Sequence, residues 1–388
     1  MSLKGLEVVI VGGGVAGLAG ALALMQRGAQ VLILEQAAGF LEHGAGLQIS
    51  PNGARVIAAL GQGAALARLG DRSAAVVLRK GATAREVLGM ALPDAGPGFH
   101  LIHRADLIEV LRHGLDGVAT RMVARVVACD ADRARPSVTL EDGEVVQADL
   151  ILGADGLHSV IRPALDPAAP QEPFFTGQVA WRALIPCQPD APRAAEVFMG
   201  PGRHLVSYPL RGGNLRNIVA VEERKTWAAE GWSHPGNPQE LRAAFAGFGG
   251  PVPEWLAQIE TLWLWGLFRH AVAPHWHRDR AAILGDAAHP TLPFMAQGAN
   301  MALEDAFVLA YALENAADLP AGLATYQAMR RNRVIRVVEA ANRNARNYHL
   351  REPLASLAHM VLRASGRIMP DAPLRQFGWI YDHDVTAA

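Results

Sequence analysis

The stretch LEVVIVGGGVAGLAGALALMQRGAQVLILE, Leu6 to Glu35, decides the fold. Leu6–Val11 is a short apolar run suited to a strand buried on both faces. Val15–Arg27 is rich in Ala and Leu, good helix formers, and Gly28 stands where a helix-ending glycine belongs. Gln30–Leu34 is a second buried strand, so the unit is β-α-β. Gly12, Gly14 and Gly17 form G-x-G-x-x-G between strand and helix, with Ala16 inside the turn. The first glycine permits the tight turn, the second lets a pyrophosphate approach the backbone, and the third allows close helix–strand packing. The phosphates would meet the helix N-terminus. Glu35, followed by Gln36, ends the second strand, where an acid accepts from ribose hydroxyls. A dinucleotide site is expected; the bland alternative is a glycine-rich turn without a ligand. Val8–Met25 is uncharged and has the 18 residues of a membrane span. Five of them are glycine, so no span is expected.

The 388 residues suggest two to three domains. Lys+Arg number 36 and Asp+Glu 37, a net charge of −1 that argues against nucleic acid as a partner. An apolar share of 51% with 19% charged residues is a globular composition. Cys129 and Cys187 make neither a disulfide framework nor a zinc spacing. A cytoplasmic location is expected.

Residues 40–55 are glycine-rich and read as loop with short extended pieces. Strands are expected at 73–79, 122–128, 136–140 and 149–152, with a helix at 104–113. A proline-rich break at 166–173 precedes β-type alternation over 174–223. Helices follow near 238–247 and 253–259, then strands at 261–270 and 280–284 and long helices at 298–315 and 320–349. The fold class is α/β. A Rossmann-like domain with a parallel sheet (1–72, 101–170 and 274–388, the last with the C-terminal helices) is interleaved with a mixed or antiparallel-sheet domain (73–100, 171–273).

Two further strand-to-loop motifs lie at strand carboxyl ends, where α/β sheets bind ligands. LILGADGLHSVIR, Leu150–Arg162, carries Asp155. AAILGDAAHPTLPFMAQGANMALED, Ala281–Asp305, carries Asp286 and leads into a helix start that suits an electron-rich group. Arg104, in HRADL, lies between the first two motifs. Together with EHGAGLQISPNG and the terminal WIYDHDV, these segments resemble the single-component FAD-dependent aromatic hydroxylases. That flavoprotein monooxygenase group includes salicylate and p-hydroxybenzoate hydroxylases, and the salicylate hydroxylase-like branch in particular is similar, over residues 6–385.

The resemblance implies FAD held at Gly12, Gly14, Ala16 and Gly17, with Glu35 and Gln36 at the adenosine ribose. It places Arg104 on the cofactor, Val123 at the adenine side, Asp155 in a motif tied to FAD and NAD(P)H, and Asp286 on the ribityl chain. Gln297, Gly298, Ala299 and Asn300 would lie beside the isoalloxazine, with Pro293. Gln48, Trp181 and Pro293 are assigned to the substrate. One fingerprint rather than two fits NADH or NADPH binding transiently as reductant. The implied reaction hydroxylates a small phenolic or related aromatic acid, with or without decarboxylation, through a flavin hydroperoxide and dioxygen. A homodimer is left open. His204 and Tyr208 lie four apart in HLVSYPL, on one strand face, and related enzymes carry such a pair in the substrate pocket. We read them as a catalytic proton relay, against the bland reading of a core histidine and a sheet tyrosine. Gln48 stands where hydroxypyridine hydroxylases of the branch carry histidine, which counts against a hydroxynicotinate-type substrate.

Other features read as structural. His270, His275 and His277 lack a completing carboxylate or cysteine, so no metal is expected. Trp263 and Trp265 are expected in sheet packing, because the residues after them depart from the halogenase W-x-W-x-I-P motif. The arginines at 330, 331, 333, 336, 343 and 346 read as a solvated helix face. The rival functions are a NAD-dependent dehydrogenase, which leaves the Gly285-Asp286 loop unexplained, a flavin-dependent halogenase, and a non-catalytic FAD-binding protein.

Overall fold

The strands Glu7–Val11, Gln30–Leu34, Leu150–Gly153 and Ala281–Ile283 are buried along most of their length, as strands covered on both faces are. In the computed structural model they form the parallel heart of a six-stranded sheet. The structure describes residues 1–40, 46–132, 134–169, 172–187, 190–225, 234–369 and 372–387. Val8 pairs with Val31 on one side and Leu150 on the other, and Ile151 pairs with Ala281. Ala119–Arg121 extends one edge in parallel, and His277–Arg278 closes the other antiparallel. Because the central strands are parallel, the residues after them, Gly12, Glu35, Asp155 and Asp286, share one edge.

The second sheet has eight strands. Phe174–Pro186, Arg203–Leu210, Leu215–Glu223 and Trp263–Arg269 form its antiparallel centre. Ala75–Lys80 joins it in parallel beside Ala194–Gly200 and is followed by Glu86–Ala91 at the edge. Alternation divides its side chains. Val179, Trp181, Ala183, Leu205, Ile218 and Ala220 pack beneath the helices Pro238–Ala244 and Val252–Ala257. Ala180, Val219, Val221, Trp265 and Leu267 face the other way, toward Leu292 and Phe294. That face looks onto the carboxyl edge of the parallel sheet.

Two expectations need correction. Within residues 40–55 the expected short extended piece is Gly46–Ile49, which pairs with His100–His103, but the stretch from Pro51 is not loop: Pro51–Ala59 is a helix. Residues 41–45, part of the same motif, lie outside the described residues. Pro51 opens the helix, where its missing N–H costs nothing. Gly53 sits inside it because the helix Gly298–Glu314 passes close: a Cβ there would lie 2.1 Å from Asn300 Oδ1. Glycine here marks close packing, not a break. The arginines of the long helix Leu319–Tyr348 are likewise not all solvated. Arg330 is 1% exposed, bridging Glu304 (2.7 Å) and Asp305 (2.8 Å), and Arg333 bonds Glu304 at 2.8 Å. The carboxylates come from Gly298–Glu314, whose inward face supplies the partners that make burial of the guanidinium affordable. No helix among the described residues is long and apolar enough to cross a membrane.

Candidate functional site

The carboxyl edge of the parallel sheet and the inward face of the larger sheet enclose a cleft with two connected cavities, about 670 and 300 Å³. Gly14, Arg104, Arg182, Trp265 and Asp286 line both.

The larger cavity is built on the glycine turn. Gly12 has φ +103°, and a Cβ there would lie 2.5 Å from the Ala154 carbonyl oxygen. A Cβ at Gly17 would lie 1.9 Å from the Gly12 oxygen, so this glycine is demanded by packing rather than by a ligand. Gly14 has nothing within 4 Å of such a Cβ and opens onto the cavity. The helix Val15–Met25 starts there with no acidic residue in its first turn, which suits an anion. Glu35 accepts from the Gly13 N–H (2.7 Å) and the Ala37 N–H (2.8 Å), and Gln36 stands exposed on the rim. Val123 does not line the cavity: its side chain is 74% exposed, and Ala124–Val126 form the wall instead. Asp155 accepts from the N–H groups of Val160 (2.7 Å) and Ile161 (3.2 Å), which ties its own loop. Burial raises its carboxyl pKa. Asp286 opens into both cavities. The protein packed around it raises its pKa, opposed by His289 and Arg104. An open glycine backbone and acid-free helix N-terminus, flanked in the same cavity by Glu35 and Asp286, fit an FAD whose pyrophosphate lies between its adenosine ribose and its ribityl chain.

The smaller cavity lies between this edge and the larger sheet. Ala16, Gln48, His204, Val206, Tyr208, Pro293, Gly298 and Ala299 line it. His204 and Tyr208 are both buried on its sheet wall. Four residues along a strand is about 13 Å, so the two do not pass a proton directly, and each has another partner. His204 Nδ1 lies 2.7 Å from His349 Nε2, and His349 Nδ1 lies 3.0 Å from Glu223 Oε1. Burial drives the His204 pKa well below the usual histidine value. Tyr208 bonds the Gln48 side chain, and burial pushes its phenol upward. Arg182 stacks over Trp265, 4.3 Å from the ring centre, with a buried Nε that has no hydrogen-bond partner. Burial lowers its guanidinium to about 10, which leaves it cationic at neutral pH.

Three assigned side chains turn elsewhere. Trp181 is on the far face of its strand, edge-on to Phe245 at 6.0 Å. Gln297 donates to Ser50 Oγ (2.9 Å) and accepts from Asn52 (3.2 Å). Asn300 accepts from the Ser50 N–H and donates to the Gln48 and Ala296 carbonyl oxygens. Both amides brace the 48–52 segment beneath the cleft. Sequence reasoning missed Arg182, His349 and the cavity-facing role of Trp265. For Arg182 the signal was present: Val179, Trp181, Ala183 and Ile185 mark the apolar face, and the charge stands on the other. Nothing local marks His349, which arrives from the end of the Leu319–Tyr348 helix. The histidines at 270, 275 and 277 disperse, His270 bonding the Leu157 carbonyl (3.0 Å) and His275 facing Asp166 (3.5 Å).

Known proteins match this arrangement along the whole chain. The model of the FAD binding domain family matches residues 5–341. A 3-amino-4-hydroxybenzoate 2-monooxygenase of Streptomyces platensis is 36% identical over 396 residues, covering 98% of this chain and 96% of that protein. A salicylate hydroxylase of Pseudomonas putida is 32% identical, covering 98% and 93%. The solved structure of a salicylate hydroxylase substrate complex superposes with a TM-score of 0.83 at 27% identity, covering 99% of this chain and 97% of that one. The chain belongs to the FAD binding domain family and, within it, to the FAD-dependent aromatic-ring monooxygenases of salicylate hydroxylase type.

Proposed function

We propose that the smaller cavity takes a small phenolic acid, its carboxylate toward Arg182 and its hydroxyl toward His204. The observation that carries this reading is a buried cation and a neutral histidine on the sheet wall of the cavity, where Val206, Val219, Val221 and Leu267 stand between and beside them. Arg182 pairs across the sheet with Val219, and Val219 with Val206. Arg182 is thus two strands, about 10 Å, from the strand of His204, a span that suits one substituted ring between two side chains. FAD, when bound, supplies reduction by NAD(P)H and the activation of dioxygen. The chain's own residues do the rest. Apolar walls exclude water from the ring. Arg182 orients the acid. His204, neutral at pH 7 because burial disfavours its charged form, accepts the hydroxyl proton and so makes the ring more electron-rich. Two cysteines in 388 residues, too few for a disulfide framework, support a cytoplasmic setting.

The test is a screen of salicylate, 3-hydroxybenzoate and 3-amino-4-hydroxybenzoate against benzoate and phenol, with NADH and NADPH. At least one hydroxylated acid should stimulate NAD(P)H oxidation and yield a ring-hydroxylated product, while benzoate should not. Stimulated oxidation with no hydroxylated product from any phenolic acid contradicts the reading.

A further inference from the structure

His204, His349 and Glu223 form a continuous line from the smaller cavity to solvent. His204 is buried on the cavity wall, His349 is 4% exposed, and the Glu223 side chain is 43% exposed. The two steps measure 2.7 and 3.0 Å. Each element supplies one member: the Arg203–Leu210 strand, the residue that ends the Leu319–Tyr348 helix, and the Leu215–Glu223 strand. The Gly202 N–H donates to the His349 carbonyl at 3.1 Å and holds that residue against the sheet. His204 is also flanked by the Tyr348 and Phe294 rings, at 5.3 and 5.2 Å. The charged groups around the outer end are Arg203, which pairs with Glu222 (3.3 Å), and Arg351, 3.7 Å from Glu223.

We propose that His349 and Glu223 are positioning residues of a proton path that carries the substrate's hydroxyl proton from His204 to water. The proposal rests on the phenolic-acid reading above. One set of tautomers satisfies every bond. The Glu223 carboxylate accepts the His349 Nδ1–H, His349 Nε2 accepts the His204 Nδ1–H, and His204 Nε2 keeps a lone pair for the cavity. When the substrate O–H bond breaks, its proton goes to His204 Nε2. The Nδ1 proton of His204 moves to His349 Nε2, and the Nδ1 proton of His349 moves to Glu223, which releases it to water. The substrate keeps the electron pair as a phenolate, and no oxidant is needed. Reprotonation of the product runs the path backward and restores the tautomers. Burial lowers the His349 pKa, so it rests neutral as the path requires, and its bond to the Glu223 carboxylate is what favours the charged form during transfer.

The experiment uses the FAD-loaded enzyme with whichever phenolic acid it hydroxylates, and a ring-fluorinated form of that acid with a more acidic hydroxyl. His349→Gln and Glu223→Gln are compared with the native chain across pH 6–9.5. His349→Gln should lower product formation by about 10²-fold near pH 7, with FAD content unchanged. The loss should shrink as pH approaches the substrate's own hydroxyl pKa, and it should largely vanish for the fluorinated acid. Glu223→Gln should follow the same pattern with a smaller loss, and its partial exposure makes it the safer variant to fold. Native rates and pH profiles in both variants overturn the path. So does a loss equal at every pH and for both acids, which marks a merely structural role. If the native chain hydroxylates no phenolic acid, the functional reading itself falls and takes the path with it.

Discussion

Arg182 carries its charge into a cavity walled by valines and a tryptophan, and the chemistry of that position gives the sharpest expectation at the scale of one residue. Replacing it by glutamine removes a charge-assisted bond to a carboxylate, worth about 1.5–3 kcal/mol, which is about 10–150-fold in binding. Arg182→Gln should therefore raise the KM for a phenolic acid by about that factor and leave the KM for the corresponding phenol nearly unchanged. Steady-state kinetics on the matched pair decides; equal losses for both would show that Arg182 serves the fold or the cofactor instead. His204→Ala should slow product formation by about 10²–10⁴-fold while flavin content holds. Less product should form per NAD(P)H consumed, because an unactivated ring competes poorly for the oxygen atom. A fully coupled His204→Ala enzyme at native rates would refute the base assignment. At this scale the sequence was legible where spacing alone decides: the glycine turn, Glu35, Asp286, and His204 with Tyr208 on one face. It misled by one position at Trp181, since neighbours on a strand face opposite sides. It also could not reveal that the Gln297 and Asn300 amides turn inward, because their partners lie some 250 positions earlier in the chain.

Between elements, one buried polar network ties three helices to the loop that carries Asp286. Asn52 donates to Glu304 at 2.6 Å, Arg330 and Arg333 bridge to the Glu304–Asp305 pair, and Asp305 bonds His289 (2.5 Å) and the Gly285 N–H (3.1 Å). Removing one partner strands the others without compensation. Arg330→Ala should cost about 3–5 kcal/mol in denaturant unfolding; a midpoint close to native would contradict the network's role. The pH dependence has a definite sign. Burial alone would raise the Asp305 carboxyl, but His289 and Arg330 outweigh it and hold the group down at about 2, below its ordinary 3.8. The unfolded chain therefore takes up this proton first, and the stability is full above about pH 4 and lost as pH falls toward 2. Acid titration of unfolding free energy should show that loss, and should show less of it in Arg330→Ala. Gly53→Ala tests the same helix contact sterically: the added methyl meets Asn300, at a cost of about 1–3 kcal/mol. Helix lengths and strand alternation were readable because they repeat locally. The Pro51–Ala59 helix and the buried arginines were not, because a glycine or an arginine looks the same in sequence whether water or another helix lies beside it.

For the whole molecule, two sheets with different periodic signatures meet at one cleft. The continuous apolar strands announced the parallel sheet, and alternation announced the mixed one. The sequence did not show which residues of the two face each other, since that depends on register across a long chain. The central claim is that the cleft holds FAD and the smaller cavity beside it holds a phenolic acid that receives one oxygen atom. Mass spectrometry of the product formed under oxygen-18 gas, with NAD(P)H and a phenolic acid, tests this most directly. The account predicts a product whose ring carries one new oxygen from the gas, formed in step with NAD(P)H consumption. An unlabelled product with its new oxygen from water, or NAD(P)H consumed with no ring product from any phenolic acid, would contradict it.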